Sequence, residues 1–324
     1  MGGGAGEKSD VPPLEELRAC LLDRTQPIAK RTHSAFFLRT LGSAEAVSAV
    51  GEALLVETDS ALLRHELAYI LGQMQNEAAC ETLEKVLTNT TDDCMVRHEA
   101  AEALGAIGAD NSVAVLERFS SDPAPEVSQT CQLALDLIAW RRNQQGGGEG
   151  SKEAKGASDA NPYLSVDPAP SCGEGAGEVE GGGGEKGGAE GQGAEEMGKR
   201  LRDKDRTLFE RYRAMFSLRN RGGEAAALEL ASAFDGEDNS LFKHEVAYVL
   251  GQMQHPATVA ALGTVLADLG EHQMVRHEAA EALGAIGGEK AEELLKTFME
   301  DDVAAVKESC EVALDTMDYW SSRA

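Results

Sequence analysis

Apolar residues recur at helical spacing along the chain, and the segment that begins at Val96 shows this pattern clearly. On a helix, one face would carry the apolar residues Val96, Ala100, Ala103, Leu104 and Ile107. The opposite face would carry Met95, His98, Glu99 and Glu102. Two glycines, Gly105 and Gly108, lie where we expect this helix to end. The pattern predicts an amphipathic helix that packs through one face and presents histidine and glutamate on the other.

The chain is an internal duplication. The segment RHELAYILGQMQ from Arg64 returns as KHEVAYVLGQMQ from Lys243, and VRHEAAEALGAIG from Val96 returns from Val275, both 179 residues later. Within each half a period of 33 residues, the length of one helix pair, separates the two copies. Degenerate copies flank each strong pair, around 35–41, 127–135, 214–218 and 306–314. We therefore count four repeats per half, and eight in the chain.

The pattern V-R-x-x-A-A-x-A-L-G-x-I resembles the second helix of a HEAT-type repeat. Its alanines would let neighbouring helices approach to about 8–10 Å. Aromatic residues are only 5% of the chain, which favours close helix packing over strands. The resemblance implies an all-α fold, an α-solenoid of HEAT-like helix pairs with two duplicated halves of about four repeats each.

Composition divides the chain into four parts. We predict a disordered N-terminus over residues 1–12, an N-terminal HEAT-like half over 13–142, a Gly/Glu-rich flexible linker over 143–198 and a C-terminal HEAT-like half over 199–324. The linker is too rich in glycine and acidic residues to bury a core of its own. It contains one island, NPYLSVDPAP over 161–170, for which two interpretations are open: it docks on a folded half, or it is disordered with three apolar residues.

The net charge of −26 limits the partners of this protein. Most of its surface would repel a phosphate backbone, so we expect no nucleic-acid binding and a basic macromolecular partner instead. No apolar run approaches the ~20 residues of a membrane span, so we expect no membrane association. The six cysteines form no CxxC pair, which is typical of reduced thiols in a cytoplasmic protein. We expect a monomer.

Four of the seven histidines lie in duplicated His-Glu pairs, namely His65-Glu66, His98-Glu99, His244-Glu245 and His277-Glu278. A single such pair on a helix is usually a solvated polar pair. Four pairs in register are different, because the degenerate copies carry Gln129-Thr130 and Glu308-Ser309 in the same place, so the repeat itself does not require His-Glu. Equivalent helices of adjacent repeats lie side by side, and we therefore expect the pairs to meet.

Each half offers two imidazoles and two carboxylates from facing helices, as metal sites in helix bundles do. Two histidines with a carboxylate and open positions are the ligands of non-haem iron in oxygen chemistry, and zinc and manganese also fit. If the halves face each other across a cleft, two ions would share the site. Four residues lie one turn after the histidines and could support the ligands around the ions: Tyr69, Tyr248, Glu102 and Glu281. For each of them, an ordinary helix-surface or groove residue is at least as good an interpretation.

Together the two duplicated motifs and the island NPYLSVDPAP resemble the deoxyhypusine hydroxylase family over both halves. The resemblance implies a di-iron monooxygenase that uses dioxygen to hydroxylate the deoxyhypusine side chain on a translation initiation factor, which gives hypusine. It also implies that one iron is held by His65, His98 and Glu99, and the other by His244, His277 and Glu278. For Glu66 and Glu245 it leaves two roles, as further ligands or as carboxylates that orient the substrate amine.

Two other functions are compatible with the residues themselves. The first is a non-catalytic helical-repeat adaptor, in which the His-Glu pairs would be surface polar residues. The second is a two-metal hydrolase that uses zinc or manganese to activate water. Bound transition metal separates the adaptor from either enzyme, and the identity of the metal separates the hydrolase from the oxygenase.

Overall fold

The computed structural model describes residues 11–145, 161–172 and 186–321. These residues form sixteen α-helices and four short 3-10 turns, and no strand occurs in these ranges. The all-α prediction is confirmed. Most of the N-terminus predicted as disordered (1–12) and half of the predicted linker, namely 146–160 and 173–185, lie outside the described residues.

The N-terminal half contains eight helices in four antiparallel pairs. They are α1 Leu14–Leu22, α2 Ile28–Leu41, α3 Ala44–Val56, α4 Ala61–Gln73, α5 Cys80–Thr88, α6 Cys94–Ile107, α7 Val113–Phe119 and α8 Pro125–Gln145. The C-terminal half repeats this order with α9 Lys186–Arg202, α10 Leu208–Arg221, α11 Gly223–Ala231, α12 Ser240–Met253, α13 Val259–Ala267, α14 Gln273–Ile286, α15 Glu289–Thr297 and α16 Ala304–Ser321. Four pairs per half agree with the repeat count from the sequence.

Helix α6 shows how the repeat sequence produces its local structure. Asp93 caps the helix by accepting a hydrogen bond from the Met95 amide at 2.9 Å, and the helix ends at Gly108 in a left-handed conformation with φ 71°. Gly105, which we expected near the end, lies inside the helix. A Cβ there would lie 2.6 Å from the Cβ of Ala134, so this glycine allows α6 and α8 to approach closely.

In five of the eight repeats, an arginine in the second helix joins that repeat to the next one. Arg97 donates from Nε to the carbonyl of Leu87 at 3.1 Å and forms a 2.5 Å ion pair with Asp122. The same combination, a carbonyl ten residues earlier and a carboxylate in the next connection, recurs at Arg31, Arg64, Arg211 and Arg276. In the motif Arg-His-Glu the arginine therefore holds the solenoid together, while the two following residues are free for another role.

The linker is partly ordered. Helix α9 begins at Lys186, inside the segment predicted as linker, because Ala194, Met197 and Leu201 give it a buried apolar face. The linker segment 161–172 contacts both halves: its Val166 exchanges two backbone-to-side-chain hydrogen bonds with Gln73 of α4, and its Asp167 pairs with Arg219 of α10 at 2.6 Å. Of the two interpretations of the island, the structure supports docking.

Across the described residues, no helix has both the length and the apolar content that crossing a membrane requires.

Candidate metal centre

Four inner helices carry the four His-Glu pairs to the junction of the two halves. Helices α4 and α6 supply the pairs of the N-terminal half, and α12 and α14 supply those of the C-terminal half. The face of α6 that we expected to be presented is in fact buried, since His98 is 0% exposed and Glu99 4%. The other half of the chain covers it. All eight His-Glu side chains are buried in the same way.

The four imidazoles form one compact cluster. Within each half, the ring centroids of His65 and His98 lie 5.5 Å apart, and those of His244 and His277 lie 5.4 Å apart. Across the junction the distances are just as short, 5.0 Å from His65 to His277 and 5.3 Å from His98 to His244. The residues predicted from the duplication therefore meet around a single centre.

The carboxylates lie between these rings. Glu66 Oε1 is 3.0 Å from His65 Nδ1, and Glu99 Oε2 is 3.2 Å from the other nitrogen of the same ring. In the second half, Glu278 Oε2 is 3.3 Å from His244 Nε2. The Glu245 carboxyl is 2% exposed, and one of its oxygens has no hydrogen-bond partner. Both halves thus place carboxylate oxygens among imidazole nitrogens, with small differences between the copies.

Several buried nitrogens have no hydrogen-bond partner. They are both ring nitrogens of His98, His244 and His277, and Nε2 of His65, whose 3.2 Å contact with Glu99 is not aligned as a hydrogen bond. Buried polar atoms are normally paired, and each neutral imidazole has a lone pair on one nitrogen, so the set can bind an electron-pair acceptor. Two groups bring ligand atoms within 4.8 Å of one another, His65 with His98 and Glu99, and His65 with His244 and His277. The donor set fits a transition-metal ion.

Burial and neighbouring charges shift the pKa values in the cluster. Burial, followed by the charges of the other imidazoles, lowers the pKa of His98 and of His277 well below the usual value. Burial also lowers the pKa of His65, but Glu99 and Glu66 outweigh it and the net shift is upward. Burial raises the pKa of Glu66 and of Glu245. Carboxylates packed this deeply are costly unless a cation lies among them.

The candidates for a supporting role line the same cavity, which has a volume of about 150 Å³. Tyr69 and Tyr248 share a hydrogen bond of 2.9 Å between their hydroxyls. Glu281 lies 3.6 Å from His277 Nδ1 and accepts a hydrogen bond from Ser309. Burial raises the pKa of Glu281 and of its counterpart Glu102 well above the usual value. All four were predicted from their place one turn after a histidine.

Two contributors to the site were not predicted. Phe36 of α2 also lines the cavity, although its repeat is a degenerate one. Gln252 of α12 donates to the Tyr248 hydroxyl at 2.9 Å, while its counterpart Gln73 holds the linker segment. The duplicated LGQMQ sequence was a signal for the two glutamines, and nothing in the degenerate repeat distinguished Phe36.

Comparisons with known proteins agree on one family. A family model for HEAT repeats matches residues 52–136 and 227–315. The deoxyhypusine hydroxylase of Danio rerio is 45% identical over 93% of this chain and 90% of the relative. That of Homo sapiens is 46% identical over 96% and 93%. The solved structure of human deoxyhypusine hydroxylase in complex with glycerol has a TM-score of 0.81 at 45% identity, covering 94% of this chain and 96% of the other.

Proposed function

Because the chain belongs to the deoxyhypusine hydroxylase family, we propose that it hydroxylates the deoxyhypusine side chain of a translation initiation factor at two iron ions between its halves. Membership of this family favours the hydroxylase over the two alternatives that the residues alone allowed, a non-catalytic adaptor and a two-metal hydrolase. One observation carries the metal centre: eight duplicated side chains converge in one buried cluster whose ring nitrogens lack hydrogen-bond partners.

We assign one iron to His65, His98 and Glu99, and the other to His244, His277 and Glu278. The first set is one of the groups whose ligand atoms lie within 4.8 Å of one another. The second set is supported by the duplication and by the short distance between His244 and Glu278. When bound, the iron pair would supply the redox chemistry that activates dioxygen for insertion into a carbon–hydrogen bond.

The surrounding residues hold the ligands in place. If the His65 imidazole donates from Nδ1 to Glu66 Oε1, the lone pair of Nε2 is directed at the centre. The lowered pKa values of His98 and His277 keep these rings neutral, the form in which imidazole binds a metal. Glu245 has a buried oxygen without a partner, which leaves it available either to a metal or to a substrate amine.

The two tyrosines and the linker segment cover one side of the cavity. Tyr69 and Tyr248 join α4 to α12 above the cluster, and the linker segment lies across the same two helices through Gln73 and Gln252. Water exclusion strengthens the electrostatic interactions inside such a site and protects reactive species from side reactions. The chain supplies both halves of the centre itself, so a monomer is sufficient for activity.

The acidic surface suits the substrate. The net charge of −26 would attract a basic protein that bears the positively charged amines of deoxyhypusine. All six cysteines are free, which fits a reducing compartment such as the cytoplasm.

A hydroxylation assay on the deoxyhypusine-bearing translation factor tests this function. We expect conversion to hypusine that requires iron and dioxygen. His277→Ala should abolish conversion because it removes a ligand. His255→Ala, which removes a histidine that belongs to none of the four His-Glu pairs and does not line the cavity, should retain it. Full activity in His277→Ala, or wild-type protein inactive when loaded with iron, would contradict the proposal.

A further inference from the structure

A second cavity opens beside the metal centre, between the first and the last repeat. It lies between α2 and α16 and has a volume of about 440 Å³. Phe36 and Glu281 line both this cavity and the metal cavity, so the two adjoin each other at these side chains. Its other walls are mostly apolar and include Phe37, Val312 and Ala313. We call it the access groove.

The duplication predicts an equivalent groove in the other half, beside α10. Helices α2 and α10 align from end to end, with Ile28 matched by Leu208 and Leu41 by Arg221. In this alignment His33 and Phe37, which line the access groove, correspond to Arg213 and Ser217. The fold therefore offers two related faces that lead towards the metal centre.

The linker segment occupies the face on α10. Arg213 donates from Nε to the carbonyl of Pro170 at 3.2 Å, and the amide of Cys172 donates to Ser217 Oγ at 2.8 Å. Ala169, which precedes the first contact, is 0% exposed, and Ser171, between the two contacts, is 5% exposed. The counterparts of two groove residues, His33 and Phe37, thus bind the linker segment in the other half.

On the α10 side, the positions equivalent to two threonines of the access groove carry larger side chains. Thr32 of the access groove corresponds to Tyr212, which is 0% exposed and packs against Phe216 with ring centroids 6.4 Å apart. Thr316, on the opposite wall, corresponds to Leu137, which is 3% exposed. At these two positions the second half therefore carries large buried side chains where the access groove has threonines.

We propose that the groove between α2 and α16 admits the deoxyhypusine side chain to the metal centre, and that the linker segment 161–172 closes the equivalent path in the other half. This inference rests on the proposed function. It gives a nearly symmetric centre a single direction of access. The linker segment then has a definite role, since it determines the face on which the substrate protein docks.

The chemistry of the access groove suits this occupant. A deoxyhypusine side chain is a long run of methylene groups interrupted and ended by amines, and its methylene groups can lie against the apolar walls as those of lysine do. At the inner end, Glu281 can accept a hydrogen bond from a protonated amine beside His277. Asp315 is 55% exposed and lies 3.4 Å from His33, a lining residue, which puts a second acidic group beside the groove.

Blocking the access groove tests the proposal directly. Ala285 lines the groove and is exposed, so Ala285→Trp should fill it without disturbing a core. Ala260→Trp, at an exposed alanine of α13 outside the groove, is the matched control. The measurement is calorimetric binding of the deoxyhypusine-bearing factor to iron-loaded protein without oxygen, together with iron content. We expect at least about tenfold weaker binding for Ala285→Trp alone, with iron content equal in all three proteins.

A crosslinking measurement remains informative if the tryptophan variant folds poorly. Thr40 lines the groove and is exposed. Thr264 of α13 is also an exposed threonine and makes the same hydrogen bond to a carbonyl four residues earlier. Benzoylphenylalanine at position 40 should crosslink to the factor, and at position 264 it should not. Tight binding by Ala285→Trp, or crosslinking from 264 but not from 40, would overturn the access groove. If the iron-loaded wild-type protein does not hydroxylate the factor, the proposed function on which the access groove rests would be overturned instead.

Discussion

The hydroxyl groups of Tyr69 and Tyr248 lie 2.9 Å apart, so two residues related by the duplication share one hydrogen bond across the junction of the halves. A gene duplication normally yields two separate copies of a side chain. Here the copies meet, as do the imidazoles beneath them. The centre is therefore a property of the junction, and any change that separates the halves should affect it.

The tyrosine pair should couple energetically. We expect Tyr69→Phe to lower the free energy of unfolding by about 1 kcal/mol, the net contribution of one hydrogen bond. Tyr248→Phe should lower it further, because this hydroxyl also accepts a hydrogen bond from Gln252. Because both variants remove the bond between the tyrosines, the double variant should lose less than the sum. Denaturant titration of the four proteins gives the coupling energy, and strictly additive losses would show that the bond contributes nothing.

Asp167 should anchor the linker segment. It pairs with Arg219, whose side chain is 0% exposed, so Asp167→Ala leaves a buried charge without its partner. We expect a loss of about 3 kcal/mol in the free energy of unfolding. Asp59→Ala, which breaks an ion pair whose carboxylate is 71% exposed, is the control and should change stability far less. Equal losses in the two variants would argue against a docked linker.

Gly105 should tolerate no side chain. Its Cβ would lie 2.6 Å from the Cβ of Ala134, so Gly105→Ala must push α6 from α8 and should cost about 1–3 kcal/mol. Gly51 of α3 is the matched control, because a Cβ there meets only Thr82 at 3.5 Å. Gly51→Ala should stabilise the protein slightly by the helix propensity of alanine. Thermal unfolding of both variants checks the contrast, and a neutral Gly105→Ala would refute the close approach.

The ion pair of Arg276 with Asp301 should make stability depend on pH in the acidic range. The hydrogen bond from Arg276 lowers the pKa of Asp301 below its usual 3.8, and burial opposes this only in part. A lowered pKa means that the pair stabilises the fold fully above the unfolded value, and that this contribution disappears as the pH falls through the folded value. The free energy of unfolding, measured from pH 6 down to pH 3, should therefore fall more steeply in the wild-type protein than in Asp301→Asn. Parallel curves would contradict the assignment.

Repeat count and site residues were accessible from the sequence because both are periodic. Duplication of His98 and Glu99 identified the candidates, and helical spacing placed Glu102 and Glu281 beside them. Burial of that face was not accessible, since it results from the other half, which no local pattern describes. Gly105 was misplaced for the same reason, because its neighbour Ala134 belongs to the next repeat.

The structural differences between the two halves could not be predicted from local sequence patterns either. Thr32 and Tyr212 occupy equivalent positions, but only the structure shows that one faces a groove and the other fills a core. The early start of α9 and the docking of Asp167 depend on contacts made far along the chain.

Anaerobic titration of metal-free protein with ferrous iron tests the central claim most directly, since the claim is that the converging His-Glu pairs hold two ions. We expect binding to saturate at two irons per chain, with a rise in the midpoint of thermal unfolding, because an ion that binds only the folded state stabilises it. His98→Ala should reduce the stoichiometry towards one. No saturable binding by wild-type protein, with an unfolding midpoint unchanged by iron, would contradict the account.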